Sequence, residues 1–340
     1  HRTDACASSL VGRVIGEEKN LYRVQVERER VAGATISGRM SFKARSRLDY
    51  PAVGDWVECL ATGDPERLVI SSVVERKSLL ERAEPGTRHG RQIIATNVDW
   101  IFIATSMNQD LNAGRLDRYV ALAWSSGASP VIVLTKADLS SDATSVLAEI
   151  GERFIGVPVH AVSAIADDPA HVLARYLVTG KTSVIVGSSG VGKSTLVNRL
   201  LGEEILATMG IREHDGRGRH TTTSRYLFEL PTGGLLIDTP GMRELQMTED
   251  ENGLEVQFDD IEELTRKCRF TDCEHRTEPG CAILQALASG EIEEERVISY
   301  GKLMREVRHQ RMKTDSALRE EERRKWKTIA RAHRERSKLK

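Results

Sequence analysis

The stretch GSSGVGKST, Gly187 to Thr195, has the residue types and spacing to hold a polyphosphate. It satisfies G-x-x-x-x-G-K-[ST], whose glycines let the backbone curl until its N–H groups face phosphate oxygens. The apolar SVIV before it and the amphipathic STLVNRLLG after it supply the strand and helix that this loop needs, and the helix start adds partial positive charge. The expected cradle is Gly187, Ser188, Ser189, Gly190, Val191, Gly192, Lys193, Ser194 and Thr195. Lys193 would pair with the β- and γ-phosphates, which makes it the first candidate catalytic residue, and Ser194 would give its hydroxyl to Mg²⁺.

Such a loop takes ATP or GTP, so the base must be read elsewhere. VIVLTKADL, Val131 to Leu139, ends an apolar run in Thr135-Lys136-Ala137-Asp138. Guanine presents N1–H and its 2-amino group as adjacent donors, and a carboxylate accepts both; adenine offers an acceptor at N1 and nothing at C2. Asp138 therefore discriminates, because against adenine it is left without partners. The stem of Lys136 can cover the purine face while its ammonium stays wet. VSA then closes the next apolar run, where the Ala164 N–H is expected to meet guanine O6 and Ser163 to fix the loop. Thr135 stands where the common form of this motif has Asn. Being shorter and lacking the amide, it puts at issue one brace, to the phosphate loop or to purine N7.

Two further segments read as nucleotide-sensing loops. In LLIDTPGMREL, Asp238 ends a strand within reach of the Mg²⁺ hydration shell, and the Gly241 N–H can touch a γ-phosphate; that contact vanishes with the diphosphate. GRGRHTTT, Gly216 to Thr223, offers hydroxyls that could close over Mg²⁺, of which Thr222 is the choice. Its Gly and Arg content predicts disorder until something binds. Ras-like enzymes hold a water-orienting Gln just after the second-switch glycine. Here that place holds Met242, so His220 is the resident candidate to orient water; a solvated loop His and an RNA contact are the alternatives.

Cys268, Cys273, His275 and Cys281 form C-x4-C-x-H-x5-C, a closed set of three thiolates and one imidazole suited to one structural Zn²⁺. Pro279 and Gly280 mark the turn that returns the fourth ligand. Cys6 and Cys59 read as ordinary thiols.

The elements that would place these groups change along the chain. Up to about Arg82, Tyr22–Glu27, Gly33–Met40, Gly54–Leu60 and Arg67–Arg76 read as short strands between turns, about five in all, fitting an OB-fold barrel. RMSFKARSR, Arg39 to Arg47, sets four cations around Phe42, a surface suited to a nucleic-acid backbone with one stacking ring. From Asn97, apolar runs (WIFIA, VIVL, VPVHAV, SVIV, YLFEL, LLID) alternate with helix-like stretches, predicting a mostly parallel sheet covered on both faces. After about Asp250 the chain reads as helical. The expected domains are 1–84, 85–250 and 251–340.

The motifs stand in an inverted order: base loop, Ser-Ala loop, phosphate loop, first switch, second switch. Joining the ends of a conventional guanine-nucleotide domain and cutting after its second switch gives this order. A cyclic shift of this kind changes connectivity and leaves the sheet intact.

Composition narrows the setting. No apolar run approaches the roughly eighteen residues of a membrane span. HRTDACASSLVGRVIG lacks a charged segment followed by a hydrophobic core, and starting with His1 it is expected to be missing a few native residues. Three cysteines packed between 268 and 281 suit a reducing compartment, so the cytoplasm is the expectation. From Lys302 to Lys340 there are 15 Lys or Arg against 6 Asp or Glu, although the whole chain is at −1. A basic end on an acidic body suits a polyanion, and equally a solvated helical tail.

Taken together, the permuted motif order, GRHTTT, DTPGMRE and CRFTDCEHRTEPGC resemble the RsgA/YjeQ family of circularly permuted GTPases over nearly the whole chain. The resemblance implies an OB-fold, a permuted P-loop GTPase domain and a zinc domain. It also implies GTP hydrolysis stimulated by the 30S ribosomal subunit, contact with its 16S rRNA, late subunit assembly, a monomer and no membrane. RRKWKTIARAHRERSKLK lies outside the motifs that carry this resemblance. Two rivals stand beside it: a nucleotide-gated RNA-binding module with incidental hydrolysis, and a P-loop ATPase or kinase, against which Asp138 argues.

Overall fold

The computed structural model describes residues 9–18, 21–27, 30–83, 91–107, 111–163, 168–202, 225–238, 252–315, 320 and 323. The chain resolves into two compact units, one built from residues 1–82 and 91–245, the other from 83–90 and 246–340.

The first unit opens with five strands: β1 (Ser9–Glu18), β2 (Leu21–Glu27), β3 (Arg30–Ile36), β4 (Trp56–Ala61) and β5 (Arg67–Val73). Pairing runs β1–β2–β3–β5–β4 and closes through β4 onto β1. The barrel interior takes alternate residues, among them Val14, Val24, Ala32, Ala34, Val57, Leu68 and Ile70. The expected strand Gly33–Met40 stops four residues early. Ser37 accepts the Met40 N–H and caps helix α1 (Gly38–Lys43), so Gly38–Met40 is helical. The β-branched run ends at Ile36, and a serine followed by Gly, Arg and Met favours a cap over another rung. A short 3₁₀ turn, Arg47–Asp49, follows.

A two-stranded sheet, β6 (Leu79–Ala83) and β7 (Arg91–Thr96), leads to the α/β part. There β8 (Trp100–Ser106), α2 (Ala113–Ser125), β9 (Ser129–Thr135), α3 (Ala143–Arg153), β10 (Val159–Val162), α4 (Pro169–Val172), β11 (Thr182–Gly187), α5 (Lys193–Leu201), β12 (Arg225–Glu229) and β13 (Leu235–Asp238) follow in turn. The sheet order is β10-β9-β8-β11-β13-β12. Its first five strands are parallel and β12 is antiparallel to β13. Six consecutive buried residues in β9 and all six of β11 are what a sheet covered on both faces requires.

This order explains how the inverted motifs still form one site. The chain adds β8, β9 and β10 outward in one direction, then returns to lay β11 on the other side of β8. The loops after β9, β10 and β11 thus leave from the same carboxyl edge, beside the point where the order reverses. The segment VLARYLVTGK that makes the return is packed: Leu173, Tyr176 and Leu177 are buried, with Tyr176 edge-on to Trp100 at 5.0 Å and to Phe102 at 5.9 Å.

The barrel and the α/β sheet are one continuous sheet. Beside β13, β12 pairs with barrel strand β1, Gly16 opposite Tyr226 and Glu17 opposite Arg225, and the Tyr226 hydroxyl donates to Glu18 at 2.6 Å. At the other end of this seam Arg13, 9 % exposed, donates to the Thr182 hydroxyl at 2.8 Å, at the start of β11, and lies 5.3 Å over the Trp56 ring. Desolvation lowers the Arg13 pKa, opposed by Asp99 and Asp55.

Beneath β9, Arg153 of α3 meets Asp117 of α2 at 2.9 Å, the carboxylate fully buried. Removing one partner of a buried pair costs about 3–5 kcal/mol. Arg153→Ala is therefore expected to lower the unfolding free energy by that much, read as an earlier denaturation midpoint at unchanged slope, whereas an apolar pair of matching size, Asp117→Leu with Arg153→Met, should come close to wild type.

The second unit is helical: α6 (Asn252–Gln257), α7 (Asp259–Thr265), α8 (Ala282–Ser289) and α9 (Glu294–Thr314), the last running through Gly301. Leu254, Phe258, Ile261, Ile283, Ala286, Leu303 and Val307 fill its core. Arg296 lies 4.9 Å over Phe258 and holds both oxygens of Asp260.

Candidate nucleotide-binding site and metal centre

The loop between β11 and α5 is shaped as its glycines predict. A Cβ at Gly187 would sit 2.2 Å from the Ala104 carbonyl of β8, and Gly192, at φ +95, caps α5 in the left-handed region. The Lys193 ammonium curls back to donate to the Gly187 carbonyl at 2.8 Å and the Ser188 carbonyl at 2.5 Å. Burial lowers its pKa. Ser189, Gly190, Ser194 and Thr195 are exposed, while Val191 is buried beneath the loop. The exposed backbone and hydroxyls are therefore the face open to an anion.

The base loop rests on this cradle. Lys136, at φ +56, turns the chain out of β9 and donates to the Gly190 carbonyl at 2.8 Å. The Thr135 hydroxyl donates to the Val191 carbonyl at 2.5 Å, with the Thr105 carbonyl at 3.2 Å. The brace that the missing amide put at issue is thus made by the hydroxyl, on the phosphate-loop side. Asp138 stands in a 3₁₀ turn, exposed, where Ser163 from the end of β10 donates to its Oδ1 at 2.7 Å. One carboxylate oxygen is thereby oriented while the residue stays exposed. Asp238 closes β13 at the same edge of the sheet. Ala164, His220, Thr222 and Gly241 lie outside the described residues.

Sequence reasoning missed Arg115. From the first turn of α2 it donates to the Ser188 hydroxyl, so the phosphate loop is held by a guanidinium on its side chain and by Lys193 on its carbonyl. Nothing in GRLDRY marks this arginine apart from Arg118; only the docking of α2 against β8 and β9, which brings its first turn to the phosphate loop, selects it. Arg13 did leave a signal, a lone cation inside the apolar run LVGRVIG.

In the second unit the four metal-ligand candidates converge, with their ligating atoms all within 4.8 Å of one another. Cys268 Sγ and His275 Nδ1 are 3.6 Å apart, His275 Nδ1 and Cys281 Sγ 3.4 Å, and the two sulfurs 4.0 Å. A tetrahedron around Zn²⁺ has edges of about 3.8 Å between sulfurs and about 3.5 Å between sulfur and nitrogen, so the set fits. It uses Nδ1 of His275, which the left-handed backbone there, φ +59, turns inward. The Glu278 carboxylate knits the loop by accepting the Glu274, Arg276 and Thr277 N–H groups, which holds its pKa at about 2. Desolvation works against a Cys268 thiolate, but N–H groups of Ala282 and Ile283 at the start of α8 prevail and lower its pKa. Desolvation, together with the neighbouring thiols, pushes Cys273 up to about 11. A Zn²⁺ among them would hold these sulfurs as thiolate ligands.

A family model described as RsgA GTPase matches residues 73–248. A protein named small ribosomal subunit biogenesis GTPase RsgA 1, from Oceanobacillus iheyensis, is 45% identical over 325 residues, covering 94% of this chain and 92% of that one. One named small ribosomal subunit biogenesis GTPase RsgA, from Streptomyces avermitilis, is 47% identical over 277 residues, covering 81% and 74%. Among solved structures, YjeQ from Thermotoga maritima superposes with a TM-score of 0.66 at 28% identity, over 88% of this chain and 99% of that one. YloQ, described as a circularly permuted GTPase, gives 0.63 at 27% identity, over 91% and 98%.

Proposed function

The chain belongs to the RsgA GTPase family and is a GTP hydrolase, and from that premise we propose that it acts in late maturation of the 30S ribosomal subunit. In this reading it binds 16S rRNA, hydrolyses GTP when the subunit stimulates it, and leaves as the nucleotide changes. It works as a cytoplasmic monomer, with residues 1–84 and 251–340 flanking a GTPase part at 85–250. Relatives over 40% identical carry the small-subunit biogenesis name. Among the described residues no helix is long and apolar enough to cross a membrane.

The observation that carries the nucleotide assignment is the junction of the two loops. Lys136 and Thr135 bind successive phosphate-loop carbonyls, and Ser163 orients Asp138 beside them. One ligand with a guanine at one end and phosphates at the other spans that junction. Bound GTP would draw the Lys193 ammonium from the two loop carbonyls toward the β- and γ-oxygens. Water then attacks the γ-phosphorus as the bond to the bridging oxygen breaks, yielding GDP and phosphate. Lys193 and the loop N–H groups meet the charge that builds on the leaving diphosphate. The Ser194 hydroxyl and, through water, Asp238 would hold Mg²⁺, which supplies further charge neutralisation. Gly187–Thr195, Thr222 and Gly241 are assigned to the phosphates and switches, and Ala164 to guanine O6. With Met242 in place of a glutamine, His220 is assigned to the water.

For the rRNA, the favoured surface is the barrel face around α1, where Phe42 is 92 % exposed among Arg39, Lys43, Arg45 and Arg47, all exposed. A protruding ring for stacking and cations for phosphates suit a single-stranded loop. The basic end, Lys302 to Lys340, is a second candidate contact for a polyanion.

The test is a titration of the full chain with GTP and ATP, followed by turnover with and without 30S subunits. GTP preferred by at least about 10³-fold, with turnover raised by subunits, is expected. Equal binding of ATP would return the chain to the ATPase and kinase class. Subunit-stimulated turnover unchanged in His220→Ala would remove that residue from the mechanism. A reading as an RNA-binding module with incidental hydrolysis requires 30S retention to follow nucleotide state alone, which GDP and a non-hydrolysable GTP analogue compare directly.

A further inference from the structure

Guanine has two edges a protein can read: the N1, N2 and O6 edge, and N7 on the imidazole side. We propose that this site reads only the first, because Thr135 is a positioning residue whose hydroxyl is committed to the phosphate loop and leaves N7 without a partner from the base motif. This inference rests on the guanine reading above.

The argument is a count of protons. A hydroxyl has one to donate. Thr135 Oγ1 lies against two carbonyl oxygens, Val191 at 2.5 Å and Thr105 at 3.2 Å, and a carbonyl can only accept. The proton is therefore used within the protein, and N7, itself an acceptor, gains nothing from the oxygen's lone pairs. Position agrees with chemistry. Thr135 is 3 % exposed, and the nearest atom to a Cβ placed at Gly192 is its Oγ1, at 3.9 Å, so the side chain lies under the phosphate loop. Its neighbour in the motif also turns to the phosphate loop, the Lys136 ammonium donating one of its three protons to the Gly190 carbonyl. An amide at this position has two N–H protons, enough to brace the loop and still reach outward; a hydroxyl must choose.

The choice has a cost and a benefit in different places. The hydroxyl ties β9 to the loop carbonyl just before Gly192 and Lys193, so the phosphate cradle is held before any nucleotide arrives. Selectivity then falls on Asp138 and the loop after β10, and guanine nucleotides altered at position 7 become acceptable ligands.

Equilibrium titration of the full chain with GTP, 7-deaza-GTP and ITP separates the possibilities. GTP and 7-deaza-GTP are expected to bind within about twofold of each other, and ITP, lacking the 2-amino donor, at least about tenfold more weakly. Thr135→Asn is expected to open a preference for GTP over 7-deaza-GTP of about three- to tenfold, the size of one net hydrogen bond. Thr135→Val should weaken GTP and 7-deaza-GTP by the same factor, since only the brace is lost, and Thr135→Ser should restore both. A wild-type preference for GTP over 7-deaza-GTP of tenfold or more, with ITP still weak, overturns the inference and leaves the guanine reading standing. A Thr135→Asn chain still indifferent to position 7 also overturns it. Equal binding of GTP and ITP instead defeats the guanine reading itself.

Discussion

Asp138→Asn should lower GTP affinity by about 10²- to 10⁴-fold and turn the site toward xanthine. The carboxylate accepts two hydrogen bonds from guanine, each charge-assisted and each contributing about 1.5–3 kcal/mol. An asparagine keeps one acceptor but sets an N–H against the 2-amino group, donor against donor. Xanthine carries a carbonyl at C2, which that N–H can meet, so XTP binding should rise as GTP binding falls. Ser163 makes the reversal sharper. Its hydroxyl donates to Asp138 Oδ1 at 2.7 Å, so one atom of the side chain must stay an acceptor and the amide orientation is set. Asp138 is exposed and its turn is closed by backbone bonds, Leu139 N–H to the Lys136 carbonyl at 3.0 Å, so the substitution leaves the fold alone. Calorimetric titration of GTP and XTP against both chains measures the effect. GTP affinity within threefold of wild type would dismiss Asp138 as the reader of the base.

Stripping the metal from Cys268, Cys273, His275 and Cys281, or replacing Cys281 by Ser, should cost the helical unit its folded state. Apparent zinc-binding energies in small structural sites are about 10–16 kcal/mol, as large as the whole stability of a typical domain, about 5–15 kcal/mol. Cys281 is 2 % exposed and begins α8, whose Ile283 and Ala286 are core residues, so losing the ligand also loosens the core. One zinc per chain, released by a strong chelator together with a loss of helical signal and new proteolytic cuts beyond residue 246, is the expected result. GTP affinity should stay within about twofold, because the nucleotide site lies wholly in the other unit. The metal must displace thiol protons, and Cys273, pushed up to about 11, keeps its proton at neutral pH until then. Zinc affinity should accordingly weaken as pH falls. A metal-free chain with the same melting curve would leave the cluster as four ordinary side chains.

The parts of the site that could be read in advance share a property: each is set by contacts within about a dozen residues. The spacing in GSSGVGKST dictates a tightly curled loop, because only glycine tolerates φ +95 at 192 or the 2.2 Å approach at 187. C-x4-C-x-H-x5-C brings four ligands together because a short chain with a Pro-Gly turn has few other ways to close. The alternation of apolar runs and helices foretold the parallel sheet, and the motif order foretold the cyclic shift. Local reasoning failed at Gly38–Met40, where a cap outweighed continuing the strand.

What the amino-acid order alone determined, then, is which side chains are on offer: a glycine-rich loop with its lysine, a carboxylate after an apolar strand, and three thiols with an imidazole, in permuted succession. Tertiary structure decided how these are joined. It laid β12 against β1 across more than 200 residues, set Arg13 on Thr182, chose Arg115 over Arg118 to hold Ser188, and gave the Thr135 proton to Val191. Such choices are invisible locally, because a strand edge, a guanidinium and a hydroxyl accept many partners equally well. Only the packing of distant segments settles which acceptor stands within reach.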